Sequence, residues 1–421
     1  MSTRNRHLLA VAAVCVVPRL CVLLFERGKV LSEYTEKSDD FARTFVDSGT
    51  YGFIPGEPSA WTQPLYGFFL IPLYELFGRA WLAVGLAQVT IALATAVLVY
   101  AIGRRAISPA AGLAGAILFS LHPYLVWHDV HVNREILDTF LAAALVLLTL
   151  KLAERPTHLL ALGTGAIAGL AILGNSRLIG LPVVLAAYLV WRLGWTRVTG
   201  VAVAAAALAT VVTIAPWAIR NEVQLGCVAI TTDSKALWKA NNPETYDVLE
   251  AGGWIDDVPN PPGAPPTPEM AFGTYQAHGT VTSVDECAQM RLYQRRVLEF
   301  WQDEPGEKTR LAVQATEMLW SPRGTQARGR PGAGTWLDTA RDWALPLHML
   351  VLYAGALVGA MRLPRSLVVL ALGLLAYQTA AAMVFAGATR YRVPWDFLFA
   401  LLAGGAVAEL LARRRRPEED G

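Results

Sequence analysis

The feature that most constrains this chain is a series of apolar blocks of about 20 residues with few charged side chains, since a helix of that length crosses a bilayer. Of the 421 residues, 54% are hydrophobic and only 17% are charged. Soluble domains carry about 25% charged residues. The charges concentrate between the blocks, where loops would place them. The sequence therefore predicts an all-α polytopic membrane protein.

About ten membrane spans are predicted from these blocks, and an even number places both termini on one side. Short segments rich in Arg and Lys alternate with the other loops, and such segments remain in the cytoplasm. We therefore expect a multi-pass protein of the cell membrane with both termini cytoplasmic. The spans lie near residues 7–25, 81–103, 109–126, 133–150, 159–174, 178–191, 198–217, 343–361, 366–387 and 393–412. The basic segments contain Arg4 and Arg6, Arg104 and Arg105, Lys151 and Arg155, Arg192 and Arg197, Arg362 and Arg365, and Arg413 to Arg416.

Two long segments lie outside the cytoplasm in this topology, so recognition or chemistry is expected there. The first, residues 26–80, contains an apolar stretch from Pro64 to Phe77 that is too short to span comfortably and is predicted to lie in the membrane interface. The second, residues 218–342, is predicted to form a cap. The chain thus divides into a first membrane module (1–217), the cap (218–342), and C-terminal helices with a basic tail (343–421).

Charge and cysteine content exclude several classes of protein. The formal net charge is +2, without the basic field that nucleic-acid binding requires, so no nucleic-acid partner is expected. Four cysteines are too few for a disulfide framework. Cys227 and Cys287 both fall in the cap, where oxidation is permitted, and the sequence leaves a disulfide between them open.

Acidic residues gather at two junctions on the predicted outer side. Asp39 and Asp40 follow the first span, and Glu135 and Asp138 lie at the start of another. Glu135 and Asp138 share a helix face because they are three residues apart, and an unpaired carboxylate is costly at the mouth of a span. All four are candidate catalytic residues. The alternatives are a solvated loop for the first pair and an ion pair of Asp138 with Arg134 for the second.

A divalent metal site is a further hypothesis, because His128, Asp129 and His131 combine imidazole and carboxylate groups at short spacing. The pattern lacks the helical HExxH spacing and the clustered cysteines of zinc motifs. Hydrogen bonding within the loop is the alternative for the same residues. Apart from this metal, no cofactor is predicted.

Several short motifs follow one another along nearly the whole chain. They are Asp39-Asp40, Pro58-Ser59-Ala60 with Pro64-Leu65-Tyr66, His122-Pro123, Asn133 to Asp138, Gly169-Leu170-Ala171 leading to Arg177, Ala215 to Asn221, and Arg390 to Pro394. Their order resembles that of the bacterial GT-C glycosyltransferases related to protein O-mannosyltransferases and aminoarabinose lipid A transferases. The resemblance implies a GT-C-like bundle of transmembrane helices whose extracytoplasmic loops carry interfacial helices.

The resemblance also implies a mannosyltransferase-like enzyme of the cell envelope. Such an enzyme transfers a sugar from a polyprenyl-phosphate donor to an extracytoplasmic lipid, glycan or protein by inverting displacement, with an acidic residue of the first outer loop as base. The family has Asp-Glu where this chain has Asp39-Asp40, so either residue is a candidate, with a slight preference for Asp40. Adjacent carboxylates diverge in a strand and in a helix, so only one of them can face the acceptor.

The same chemistry requires cations to hold the departing phosphate, and arginine does so through two parallel hydrogen bonds. Arg177, Arg390 and Arg392 lie at predicted outer ends of spans, and Lys235 lies in the cap. We predict donor phosphate-binding roles for these four residues. Snorkelling to the membrane interface is the alternative for each arginine.

Two other functions fit the same topology: a transporter or flippase of a lipid-linked saccharide, and a non-catalytic envelope assembly protein. A transporter predicts charges in the middle of spans and helices broken at the membrane midplane. In this chain the charges cluster at the ends of spans, and only Arg19 and Asp396 lie deeper. The pattern therefore favours the transferase.

Overall fold

A computed structural model describes residues 2–32, 36–261, 263–324 and 335–415, with residues 413–415 described by their backbone alone. These residues form helices and connecting segments, and no β-strand is found among them. The basic side chains predicted at Arg413 to Arg416 lie outside this description. The helices are α1 (Thr3–Phe25), α2 (Lys37–Ser48), α3 (Pro64–Phe77), α4 (Trp81–Ala106), α5 (Pro109–Ser120), α6 (Pro123–His128), α7 (Glu135–Glu154), α8 (His158–Gly174), α9 (Leu181–Leu193), α10 (Arg197–Leu225), α11 (Lys235–Lys239), α12 (Thr245–Glu250), α13 (Pro268–His278), α14 (Glu286–Asp303), α15 (Pro305–Trp320), α16 (Trp336–Arg362), α17 (Arg365–Val384), α18 (Thr389–Arg392) and α19 (Asp396–Arg415).

Within the described part of the chain, 8 helical segments are long and apolar enough to cross a membrane, which confirms an all-α, multi-pass membrane protein. They match eight of the predicted spans. The exceptions are the predicted spans near 109–126 and 159–174, where α5 has 12 residues and α8 has 17. At 1.5 Å per residue these helices measure roughly 18 and 26 Å, against a hydrocarbon core of about 30 Å.

The span predicted near 109–126 is not one continuous helix, because the chain breaks between α5 and α6. α5 ends at Ser120, and α6 starts at Pro123 after an extended residue, His122 (φ −60°, ψ 115°). A proline disfavours helical geometry in the residue before it. His122 instead caps α6 by accepting a hydrogen bond from the backbone N–H of Leu125 at 3.4 Å.

Glycines bring several membrane helices into backbone contact. A Cβ atom at Gly165 of α8 would lie 2.0 Å from the carbonyl oxygen of Ala206 in α10. A Cβ atom at Gly404 of α19 would lie 2.4 Å from the backbone nitrogen of Gly115 in α5. Such close approach is how helices associate in a bilayer, where burial from water no longer drives packing. The short helices α5 and α8 are therefore integral to the bundle.

The helices α11 to α15 form a cap against one end of the bundle, which we call the cap end. α15 packs against α17 and α18, and α11 packs against α14. A disulfide joins Cys227 to Cys287, with their Cα atoms 6.0 Å apart. This bond ties the segment after α10 to the start of α14, and it settles the pairing that the sequence leaves open.

Candidate active site

A polar cavity of about 390 Å³ lies at the cap end, between the bundle and the cap. On the bundle side it is lined by the start of α2, the turns before α3 and α9, and the segment after α17. On the cap side it is lined by α11 and α13. Its charged lining residues comprise six cations and four carboxylates. They are Lys37, Arg134, Arg177, Lys235, Lys239 and Arg390, with Glu36, Asp233, Asp256 and Glu269. The cavity therefore carries an excess of positive charge.

A network of two lysines and two carboxylates joins α2 to the cap along one wall. Lys37 Nζ lies 2.8 Å from Asp233 and 3.0 Å from Glu269, and Lys235 Nζ lies 3.0 Å from the other oxygen of Glu269. Burial raises the pKa of Glu269, but the two lysines outweigh this effect and hold it at about 2. Both lysines are thus already neutralised, which leaves Lys235 with less capacity for a ligand than the sequence suggests.

Arg390 connects the cavity to the buried acidic residue at the start of α7. Its Nε donates to Glu135 Oε1 at 2.8 Å, and its Nη2 donates to Glu36. Behind this pair, His128 Nε2 lies 3.4 Å from the second oxygen of Glu135. Arg390 therefore lines the cavity, as a phosphate-binding residue must, but it is shared between two carboxylates.

Arg177 lines the cavity without an ion pair to any residue that the structure describes. Its guanidinium group lies 3.4 Å from the ring centroid of Tyr391 and 5.2 Å from that of Phe385. One nitrogen donates to the backbone carbonyl of Ala386 at 3.3 Å. The side chain is thus held in place by aromatic contacts while its charge remains available to an anion.

Arg392 faces away from the cavity, so its predicted phosphate-binding role is not supported. It is fully buried, and its Nε donates to Asp396 at 3.2 Å. Its Nη1 donates to the carbonyl groups of Leu319 and Ser321, at 3.2 and 2.5 Å. Arg392 therefore joins α18 and α19 to the end of α15.

The first-loop carboxylates Asp39 and Asp40 lie on α2 but do not line the cavity. Asp39 is 2% exposed and accepts hydrogen bonds from Tyr74 and from Arg79, whose Nη2 lies at 2.8 Å. Asp40 lies 3.5 Å from Arg43. Burial and the neighbouring Asp39 raise the pKa of Asp40. Of the first-loop carboxylates that the structure describes, Glu36 is the one that reaches the cavity.

The acidic pair at the start of α7 is almost completely buried. Glu135 is 2% exposed, and Asp138 is 3% exposed. Asp138 accepts a hydrogen bond from Asn175 at 3.0 Å, while Arg134 lies 3.9 Å from Glu135 and donates to Gln63. The predicted alternative, an ion pair of Arg134 with Asp138, is therefore replaced by contacts with Glu135 and Gln63.

The three candidate metal ligands do not converge on one point. His128 contacts Glu135, Asp129 pairs with the buried Arg19 at 2.8 Å, and His131 lies 3.7 Å from Glu26. No group of three or more potential ligands is found among the described residues. Hydrogen bonding, the alternative explanation for these residues, accounts for their placement.

Sequence reasoning missed several residues of the cavity. Glu36 and Lys37 belong to the first acidic segment but were not singled out, and Lys239 lies on α11 one turn after Lys235. Residues four apart share a helix face, so the spacing of the two lysines was an available signal. Lys239 is 7% exposed, and its Nζ donates to the backbone carbonyl of Asp256 at 2.5 Å.

Comparisons with known proteins concern both sequence and fold. Residues 58–219 match the family model of the dolichyl-phosphate-mannose-protein mannosyltransferases. No curated protein matches the chain in sequence. The matched segment runs from the turn before α3 into α10 and contains the cavity residues Trp61, Gln63, Arg134 and Arg177.

Among solved structures, the fold is similar to that of the archaeal oligosaccharyltransferase AglB from Archaeoglobus fulgidus in complex with an inhibitory peptide and a dolichol-phosphate. The TM-score is 0.56 and the identity 12%, and the match covers 100% of this chain and 52% of that one. The apo form of the Archaeoglobus fulgidus enzyme has a TM-score of 0.52 and an identity of 10%, and the match covers 98% of this chain and 52% of that one. For ArnT from Cupriavidus metallidurans bound to undecaprenyl phosphate, the TM-score is 0.45 and the identity 14%, and the match covers 96% of this chain and 78% of that one.

The chain thus spans about half the length of the oligosaccharyltransferase whose fold it shares. The shared part includes the membrane bundle, since the match extends over the whole of this chain. The family match lies within the same bundle. The sequence match to the mannosyltransferase model and the fold similarity to the oligosaccharyltransferase therefore coincide in the membrane bundle.

Proposed function

We propose that the chain is a membrane glycosyltransferase that transfers a sugar from a polyprenyl-phosphate donor to an extracytoplasmic acceptor. The observation that carries this proposal is Arg177, a cation without an ion-pair partner in the described residues, in a cavity that also holds carboxylates and aromatic rings. The family match and the oligosaccharyltransferase bound to dolichol-phosphate support the same donor class.

The donor phosphate binds Arg177, and the sugar lies toward the cap side of the cavity. Trp254 lies on that side, with its ring centroid 6.4 Å from that of Tyr391, and Asp256 lies two residues further along. Aromatic faces and carboxylates are suited to sugar rings and hydroxyl groups, respectively. Lys235 and Arg390 stand at the edges of the phosphate site, each already paired with a carboxylate.

Transfer needs one base and one stabilised leaving group. The acceptor hydroxyl oxygen bonds to the anomeric carbon while the bond from that carbon to the phosphate oxygen breaks. The phosphate keeps the electron pair, and Arg177 stabilises its charge. A carboxylate takes the hydroxyl proton, a contribution of about 10² to 10⁴-fold.

We propose Glu36 as this base because it is the described first-loop carboxylate that lines the cavity. Arg390 holds Glu36 in the resting arrangement. A phosphate that binds Arg390 competes with Glu36 for it, which frees the carboxylate to accept a proton. Asp40, which the sequence slightly favours, is the second candidate, because it follows Glu36 by four residues and its side chain is 32% exposed.

We also propose that the cap end is extracytoplasmic and that both termini are cytoplasmic, as the basic loops indicate. Single cysteines at Asp47 and Ala277 should react with an impermeant maleimide in intact cells, in a background with Cys15 and Cys21 replaced by Ser. A cysteine at Arg155 should react only after permeabilisation. The opposite pattern would show the reverse orientation.

The activity is tested with purified protein in detergent, without any membrane gradient. A polyprenyl-phosphate-linked sugar and extracts of the cell envelope as acceptor should yield free polyprenyl phosphate, and Glu36→Gln should slow the release by about 10² to 10⁴-fold. Mass spectrometry of envelope glycans from cells with and without the gene would identify the product. Movement of intact donor across liposomes without release would show a transporter and contradict the proposal.

A further inference from the structure

The cap-end terminus of α17 lies directly beside the phosphate site. α17 ends at Val384, and the next two residues, Phe385 and Ala386, both contact Arg177. The last carbonyl groups of a helix have no partner within the helix and need one from elsewhere. The groups that bind this helix end therefore also influence where Arg177 lies.

Two cap side chains bind the terminus of α17. Lys308 Nζ, on α15, donates to the carbonyl of Met383 at 2.6 Å. Asn241 Nδ2, just after α11, donates to the carbonyl of Val384 at 2.8 Å. Lys308 Nζ also donates to Asn241 Oδ1 at 2.5 Å. The two side chains thus form one joined contact between the cap and the membrane helix.

Asn241 is fully buried and uses its whole hydrogen-bonding capacity in this contact. Its Nδ2 also donates to the carbonyl of Leu237 at 2.8 Å, and its Oδ1 accepts from Trp301 Nε1 at 2.9 Å as well as from Lys308. A buried amide satisfied on every side holds one geometry, since any displacement leaves polar atoms unpaired.

Lys308 lacks a carboxylate partner among the described residues, and burial lowers its pKa to about 8. The ion pairs of the described helices packed against α15 do not include Lys308: Arg296 pairs with Glu299 on α14, and Arg390 and Arg392 on α18 hold carboxylates. The ammonium group thus contacts the carbonyl end of α17, and it also lies 5.0 Å from the ring centroid of Trp301. Partial burial of a lysine without a carboxylate partner is costly, and the hydrogen bonds of its ammonium group to Met383 and Asn241 offset that cost.

We propose that Lys308 and Asn241 are positioning residues that clamp the end of α17 and thereby hold Phe385 and Ala386 against Arg177. The inference rests on the proposed function, because the clamp acts on the phosphate site. It assigns the cap a role in donor binding that does not require contact with the donor. Coupling through such packed contacts typically changes an affinity by about 2- to 30-fold.

The test compares Lys308→Met, Lys308→Arg and the control Arg295→Met, an exposed cap residue, in the full-length protein in detergent. Only the monodisperse, folded fraction is measured. The first readout is hydrogen exchange of the Phe385 amide, which donates to the Ala381 carbonyl at 2.9 Å. The second is the Kd for a polyprenyl monophosphate. We expect Lys308→Met to exchange faster at Phe385 and to raise the Kd by about 2- to 30-fold, and Lys308→Arg to restore both.

Unchanged exchange at Phe385 in Lys308→Met would overturn the clamp. An unchanged Kd in that variant, or the same rise in Arg295→Met, would overturn its role in donor binding. If the wild-type protein does not bind polyprenyl monophosphate, the proposed function fails, and the exchange measurement still decides whether the clamp exists.

Discussion

Replacement of Arg177 by Gln is the sharpest test of the phosphate site. Arg177 has no carboxylate partner among the described residues, so its loss leaves no buried negative charge behind. The local cost is limited to the contacts with the rings of Tyr391 and Phe385 and one hydrogen bond to Ala386. The effect on the donor can therefore be separated from an effect on folding.

The expected magnitude follows from the chemistry of the contact. A hydrogen bond to a charged group contributes about 1.5 to 3 kcal/mol. At about 1.4 kcal/mol per tenfold change, loss of that bond raises the Kd for the lipid phosphate by roughly 12- to 140-fold. The Kd of Arg177→Lys should lie between those of the wild-type protein and Arg177→Gln, because lysine retains the charge but loses the planar fork.

The assay is equilibrium binding of a radiolabelled polyprenyl monophosphate to protein in nanodiscs. Arg220→Gln is the matched control, since Arg220 is also half-buried and lies 4.8 Å from an aromatic centroid, that of Trp217. It donates to the carbonyls of Tyr51 and Ser59 and does not line this cavity. Its replacement should leave the Kd unchanged.

An unchanged Kd in Arg177→Gln would refute the assignment of the phosphate site. The role would then pass to Arg390 or Lys235, and their ion pairs would have to open when the donor binds. An equal rise in the Arg220→Gln control would indicate a general effect of charge removal, and would contradict the reasoning in a different way.

Three further predictions concern the base, the buried arginine and the charged wall of the cavity. Glu36→Gln should lower turnover by about 10² to 10⁴-fold with an intact Kd for the donor, whereas Asp39→Asn should mainly lower thermal stability; a large rate loss in Asp40→Asn alone would assign the base there instead. Arg392→Gln removes the arginine partner of the buried Asp396 and leaves it with His122, whose Nε2 lies 3.1 Å away, so the free energy of unfolding should fall by at most about 3 to 5 kcal/mol while folded protein still binds the donor; normal stability would contradict this. The folded-state pKa of Glu269 is about 2, below its usual value, so its ion pairs stabilise the protein above about pH 4.3 and lose that effect as the pH falls toward 2. The difference in melting temperature between the wild-type protein and Glu269→Gln should therefore shrink over that interval, and a constant difference would contradict the ion pairs.

The helices of the bundle were predictable because their signal is local. Apolar blocks bounded by caps such as Thr157 and Thr196, whose side chains accept from the first turns of α8 and α10, define where helices begin. The break after Ser120 also had a local cause in Pro123. Its consequence, a membrane helix too short to span alone, depends on packing against α19 and was not predictable from hydropathy.

The residues of the site were predictable by type, but not by orientation. Arg390 and Arg392 are two positions apart, and side chains on a helix diverge by about 200° over that distance. One faces the cavity and the other faces Asp396. The sequence shows that they must diverge, but only the packing of α18 against α15 and the contacts with Glu135 and Asp396 decide which of them reaches a ligand.

The same reason separates Glu36, the residue just before α2, from Asp39 on the first turn of that helix. Arg79 and Tyr74, some 40 residues along the chain, bind Asp39, while Arg390, 354 residues away, binds Glu36. Composition and spacing determine that carboxylates and cations gather at one end of the bundle. Which of them are neutralised, and that Arg177 is not, depends on contacts between distant segments that exist only after the helices have packed.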